Sequence, residues 1–69
     1  MQISVNGKMV DATDNATVMD LLTELEVKTP EYVSVELNGE ILDRQDFSTT
    51  VVSDGDSMEF LYFMGGGAL

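Results

Sequence analysis

Ser57-Met58-Glu59-Phe60-Leu61-Tyr62-Phe63-Met64-Gly65-Gly66-Gly67-Ala68-Leu69 joins an apolar alternating run to three consecutive glycines. By a period of two, Met58, Phe60, Tyr62 and Met64 share one face of a strand, and Glu59, Leu61 and Phe63 share the other. A sheet covered by one helix leaves one face wet. Here both faces turn apolar toward the C-terminal end, which points to a central strand. Met58 and Phe60 are then core residues, and Leu61 and Phe63 are exposed. An exposed aliphatic and aromatic pair beside Glu59 reads as a protein-docking surface, unless a loop covers it.

Upstream, the chain supplies what such a strand must pack against. Met1 to Val5 alternates, with Met1, Ile3 and Val5 on one face. Asn6-Gly7 follows, a two-residue turn whose central positions both need positive φ. Lys8 to Ala12 returns, with Val10 and Ala12 inward. Thr17 can cap a helix, with Asp20 three residues on in the manner of a capping box. Val18, Leu21, Leu22 and Leu25 recur at i, i+3, i+4 and i+7, an amphipathic stripe. Pro30 ends any continuation of that helix. Val33, Val35 and Leu37 alternate with Ser34 and Glu36, and Asn38-Gly39 turns the chain into a short return over 40–42. Asp43 to Phe47 reads as one helical turn with Phe47 beneath it, and Asp54-Gly55-Asp56 as another turn. The expected class is α+β: a mixed sheet of four to five strands packed on one helix. Residues 1–64 form the single expected domain, and 65–69 a flexible tail.

Hydrophobic residues make up 43% of the 69-residue chain, which excludes a disordered segment. Three basic residues against thirteen acidic ones give a formal charge of −10. Nucleic acid needs a basic footprint, and anionic lipid repels this surface, so neither is an expected partner. The charge serves either solubility or the steering of a basic protein partner. Cysteine and histidine are both absent. That removes disulfides, a thiolate nucleophile and the usual zinc sets. No apolar run approaches the roughly 20 residues of a membrane span, and no signal segment is legible. A cytoplasmic monomer is expected. The acidic residues fall on turns and on the polar helix face, where solvated charge is the ordinary role, so no catalytic site and no metal site are expected. Asp54 and Asp56 flank a turn glycine, and a short loop offers too few ligands for calcium.

A glycine run after a strand is not a phosphate loop, because no helix and no lysine follow it. It is either a frayed terminus or a tail slim enough to thread an enzyme channel. With the strands, the helix and the tail in this order, the chain resembles the ubiquitin-like sulfur carriers, most closely the ThiS family of thiamine biosynthesis. The resemblance covers nearly the whole chain. It rests on Asn6-Gly7, on Thr17-Val18 with Leu21-Leu22 and Leu25, and on Val33-Ser34-Val35-Glu36-Leu37-Asn38-Gly39-Glu40-Ile41. Arg44, Asp54-Gly55-Asp56 and the terminal glycines complete it.

The resemblance implies a β-grasp (ubiquitin-like) fold and a carrier that is not itself an enzyme. An adenylyltransferase of the ubiquitin-activating type would use ATP and magnesium, neither held by this chain, to adenylate a terminal glycine. Sulfur would then give a thiocarboxylate for a sulfur-accepting synthase such as thiazole synthase. Counted from Gly55-Asp56, the diglycine falls on Gly66-Gly67 and the attachment point on Gly67, although Gly65-Gly66 also reads as a diglycine. Two departures stand out. Asp43 precedes Arg44 where the family commonly has proline, and Ala68-Leu69 extends beyond the glycines. A processing protease would have to remove Ala68 and Leu69. That extension also fits a carrier for cysteine or homocysteine synthesis. A ubiquitin-like modifier forming isopeptide conjugates, and a plain interaction module with an inert tail, are the other readings. The proline pair that precedes the glycines in molybdopterin carriers is replaced here by Tyr62-Phe63-Met64.

Overall fold

The two Asn-Gly pairs set the hairpins. Asn6 and Gly7 have φ of 52° and 87°, and Asn38 and Gly39 have 52° and 89°. These are the left-handed values a type I′ turn requires, which asparagine tolerates and glycine adopts freely. The first turn joins β1 (Gln2–Val5) to β2 (Lys8–Asp11), and the second joins β3 (Val33–Leu37) to β4 (Glu40–Ile41). A helix, α1 (Val18–Glu24), lies between the hairpins, and β5 (Ser57–Tyr62) comes last. The computed structural model describes residues 1–28 and 30–62.

β5 inserts between the two hairpins, giving the order β2-β1-β5-β3-β4. It runs parallel to β1 and antiparallel to β3. The sheet is therefore mixed and five-stranded, with one helix against one face. The expected β-grasp architecture is present.

The core forms between that helix and the inner face of the sheet. Ile3, Val33, Val35 and Met58 from the strands are fully buried, as are Val18 and Leu21 from α1. Phe47 and Val52, in the segment between β4 and β5, close one side. Each such side chain contributes about 1.5–3 kcal/mol on burial, and a chain this short has few of them to spare.

A seven-residue helix is marginal alone, so its ends must be satisfied. The Thr17 hydroxyl accepts from the Asp20 amide at 3.1 Å, and the Asp20 carboxylate accepts from the Thr17 amide at 3.0 Å. This is the capping box expected from sequence. The Val18 and Met19 amides donate to the Thr50 and Phe47 carbonyls, both at 2.9 Å. At the other end, Val27 N–H reaches the Leu22 carbonyl and Glu26 N–H reaches Thr23. Glu26 itself adopts φ 56°. That is a Schellman closure built on a glutamate where glycine is usual. The helix thus ends at Glu24, with Leu25 as its C-cap, before Pro30 can act. Pro30 instead opens a short 3₁₀ turn, Pro30–Tyr32, where its fixed φ is compatible and its missing N–H costs nothing.

The Asp54-Gly55-Asp56 turn is a clasp at the start of β5. Asp54 Oδ1 accepts from the Gln2 amide at 2.7 Å, and Asp56 Oδ2 accepts from the Ser53 amide at 2.8 Å. Gly55 has φ 88° and donates to the Gln2 carbonyl. The two carboxylates are thereby occupied in holding the turn, as the sequence reading expected.

Candidate functional site

The region that leads to the glycines is the second half of β5. Alternation places Met58 and Phe60 under α1, with Met58 fully buried and Phe60 8% exposed. Ser57, Glu59 and Leu61 point to the face of the sheet that no helix covers. Glu59 is exposed there, as expected for a docking residue, whereas Leu61 is half-buried rather than exposed. The cause is its place inside the sheet, opposite Ser34 on β3. Cross-strand neighbours shield a side chain even on an uncovered face. Phe63, Gly65, Gly66, Gly67, Ala68 and Leu69 lie outside the described residues, as does the expected boundary between residues 64 and 65.

Around Glu59 and Leu61 the register assembles a surface that sequence alone could not. Glu36 pairs directly with Glu59, and Ile41 of β4 pairs with Glu36. Ile41 is 60% exposed. On the far side of the same face, Met9 pairs with Ser4 and is 62% exposed. Two like charges placed directly opposite are mildly destabilising. An open face with apolar side chains around a carboxylate pair matches a protein contact better than a surface tuned for stability alone. Ile41 sits on a strand of two residues, too short for alternation to be informative, so its face is set only by pairing.

The backbone around this half of β5 is held from two directions. Asn6 Oδ1, from the first hairpin turn, accepts from the Phe60 amide at 2.9 Å. On the other side Val33 pairs with Tyr62, the last described residue. The Val33 carbonyl accepts from Arg44 Nη2 at 2.5 Å, and the Pro30 carbonyl from Arg44 Nη1 at 2.9 Å. The guanidinium also stands 5.1 Å from the Phe47 ring centroid, within cation–π range. Arg44 therefore ties the start of β3 to the loop that precedes it.

Elsewhere, an open depression of about 300 Å³ is lined by Met1, Asp14, Asn15, Val51, Val52, Ser53 and Asp54. The Met1 ammonium donates to Asp14 Oδ1 at 2.8 Å and to the Ala12 carbonyl at 2.7 Å. The hydrogen bond to Asp14 raises the amine pKa, and the same bond lowers that of Asp14. Among the described residues no three acidic side chains converge enough to hold a metal ion. No described helix is long and apolar enough to cross a membrane.

Known proteins share this arrangement. The model of the ThiS family matches residues 3–67. A sulfur carrier protein ThiS of Bacillus subtilis is 33% identical over 66 residues, 94% of this chain and 98% of that protein. A thiazole synthase of Paramagnetospirillum magneticum is 37% identical over 68 residues, which is 99% of this chain and 21% of that protein. The chain thus spans about a fifth of the length of that relative. The crystal structure of a thiamine biosynthesis protein (ThiS) from Geobacter metallireducens superposes with a TM-score of 0.86 at 55% identity. It covers 97% of this chain and 100% of its own.

Proposed function

The chain belongs to the ThiS family, and on that premise we propose that it is a sulfur carrier of thiamine (thiazole) biosynthesis, working through Gly67. The observation that carries the reading is the reach of the family match. It ends on Gly67 and leaves Ala68-Leu69 outside. That supports the register with the diglycine at Gly66-Gly67.

The first step is hydrolysis of the Gly67–Ala68 peptide bond by a protease, which frees the Gly67 carboxylate. An activating enzyme then brings ATP and magnesium. A carboxylate oxygen attacks the α-phosphorus, pyrophosphate leaves, and an acyl adenylate remains. Hydrosulfide displaces AMP at the acyl carbon and leaves the thiocarboxylate; where the sulfur arrives as a persulfide, the acyl disulfide first formed is cleaved by a thiol reductant. This chain's contribution is positional. A glycine terminus has no β-carbon to obstruct a narrow channel, and β5 fixes where the chain emerges. Glu59, Leu61 and Phe63 are the proposed docking residues, with Glu36 and Ile41 beside them. The sulfur acceptor is a thiazole synthase. The relative that carries that name includes a segment like this chain within its own polypeptide, as two working partners would if tethered.

The test uses two forms of the protein, one ending at Gly67 and one at Leu69. Each is incubated with the host's activating enzyme, ATP, magnesium and a sulfur donor, and its intact mass is read. The reading expects an oxygen-to-sulfur increment on the Gly67 form alone. Modification of the Leu69 form, or of neither, counts against it. Leu61→Glu and Phe63→Glu are expected to slow the reaction in the Gly67 form while the chain still folds, with a modest fall in melting temperature at the half-buried Leu61. Loss of folding would show that these side chains belong to the core.

A further inference from the structure

The hydrogen-bonding parity of β5 leaves one stretch of its backbone without a strand partner among the described residues. The Asp56 and Met58 carbonyls face β1, accepting from the Ser4 and Asn6 amides, both at 2.9 Å. The Ser57 carbonyl faces the other way, accepting from the Asn38 amide at 2.7 Å. Even-numbered residues therefore direct their backbone groups toward β1, and odd-numbered ones toward β3. The strand partners of β5 on the β1 side stop at Val5, opposite Met58. Beyond that point Asn6 Oδ1 takes the Phe60 amide. The Phe60 carbonyl and the Tyr62 amide then face an edge with no strand beside it among the described residues, while β3 continues to pair with β5 through Val33 and Tyr62.

We propose that this edge is a strand-docking site, and that its occupant is an extended segment of the enzyme that activates Gly67. The inference rests on the sulfur-carrier reading. Its support is continuity with the reactive end of the chain. Gly67 lies five residue steps beyond Tyr62, a span of at most about 16–18 Å when fully extended. An enzyme that reaches Gly67 must bring its own polypeptide alongside β5. Main-chain pairing at an open edge grips an extended chain whatever its side chains, which suits a tail made of glycine. The outer edges of the sheet are less suited. β4 is two residues long, and β2 carries Lys8 and Asp11, the charged and shortened edges that discourage pairing.

Tyr62→Pro removes the one amide donor on this edge and spares the β3 ladder, which uses odd-numbered residues. Tyr62→Ala is the control for the side chain. The chains end at Gly67, and the probe is the host's activating enzyme with ATP, read as pyrophosphate release. Tyr62→Pro is expected to lower kcat/KM about tenfold relative to Tyr62→Ala, the loss of roughly one hydrogen bond, with equal melting temperatures. Amide exchange of the wild-type protein needs no variant. It should show Tyr62 N–H exchanging freely alone and protected when the enzyme is added. Equal rates for the two variants overturn the proposal. So does a Tyr62 amide already protected in the free protein, including protection that grows with concentration, since the edge would then belong to a second copy. A wild-type chain that is not activated at all sinks the sulfur-carrier reading itself, and the named occupant goes with it.

Discussion

At Met58, β5 has a strand on either side, with Val5 of β1 facing Leu37 of β3 across it. At Leu61 and Tyr62 it has β3 alone. The first half also carries the Asp54-Gly55-Asp56 clasp and the Asn38 side chain, whose Oδ1 accepts from Ser57 N–H at 2.9 Å. Among the described residues the second half has one side-chain brace, Asn6. One strand thus serves two ends. Its start closes the core, and its exit has, among the described residues, a strand partner on the β3 side alone. Regions that bind are drawn from the less stable parts of a fold, and here that division runs along a single strand.

Core truncation separates the halves most sharply. Met58→Ala, at a fully buried position, is expected to cost about 2–5 kcal/mol. Leu61→Ala, at a half-buried one, should cost no more than about 1.5 kcal/mol. Urea midpoints decide it, and similar losses at both sites would dissolve the contrast. Arg44→Ala comes next, at about 1–2 kcal/mol, because it frees the Pro30 and Val33 carbonyls and the Phe47 ring face. Its effect on amide exchange should be greater at Val33 than at Val5. Arg44→Lys should recover less than half, since an ammonium cannot span both carbonyls as the fork does.

Glu26→Gly relieves the left-handed backbone at the helix end and is expected to stabilise by about 0.5–1 kcal/mol. It lies away from β5, so the gap between Met58→Ala and Leu61→Ala should persist in that background.

The smallest effect is the pH dependence of the Met1–Asp14 pair. The amine pKa is raised above its ordinary 8.0 and the carboxyl lowered below 3.8. The contribution is therefore fully present between those values. It is lost as pH rises through the raised amine pKa, and again as pH falls through the depressed carboxyl pKa. The difference in urea midpoint between wild type and Asp14→Asn should trace that plateau. A difference that does not vary with pH would remove the ion pair from the account.

Much of the fold was legible because its signals are local. The Asn-Gly pairs, Thr17 with Asp20, the stripe Val18-Leu21-Leu22 and the alternation through Met58 and Phe60 each act within a few residues. What escaped is non-local or breaks a local preference. Glu26 closes the helix without the glycine that marks such a position. Ile41, on a two-residue strand, reaches the open face only through pairing register. Asn6 announces a turn, yet its side chain braces Phe60, 54 residues away. The candidate site divides likewise: the faces of Glu36, Glu59 and Leu61 were readable from alternation, while the register that sets Glu36 opposite Glu59 and Ile41 beside it was not.

The sulfur-carrier account is tested most directly by the intact mass of the protein recovered from its native cells under thiamine-limited growth. The account predicts a chain lacking Ala68 and Leu69 and carrying sulfur in place of one oxygen at Gly67. A chain that keeps Leu69 and gains no sulfur under the same growth would contradict it.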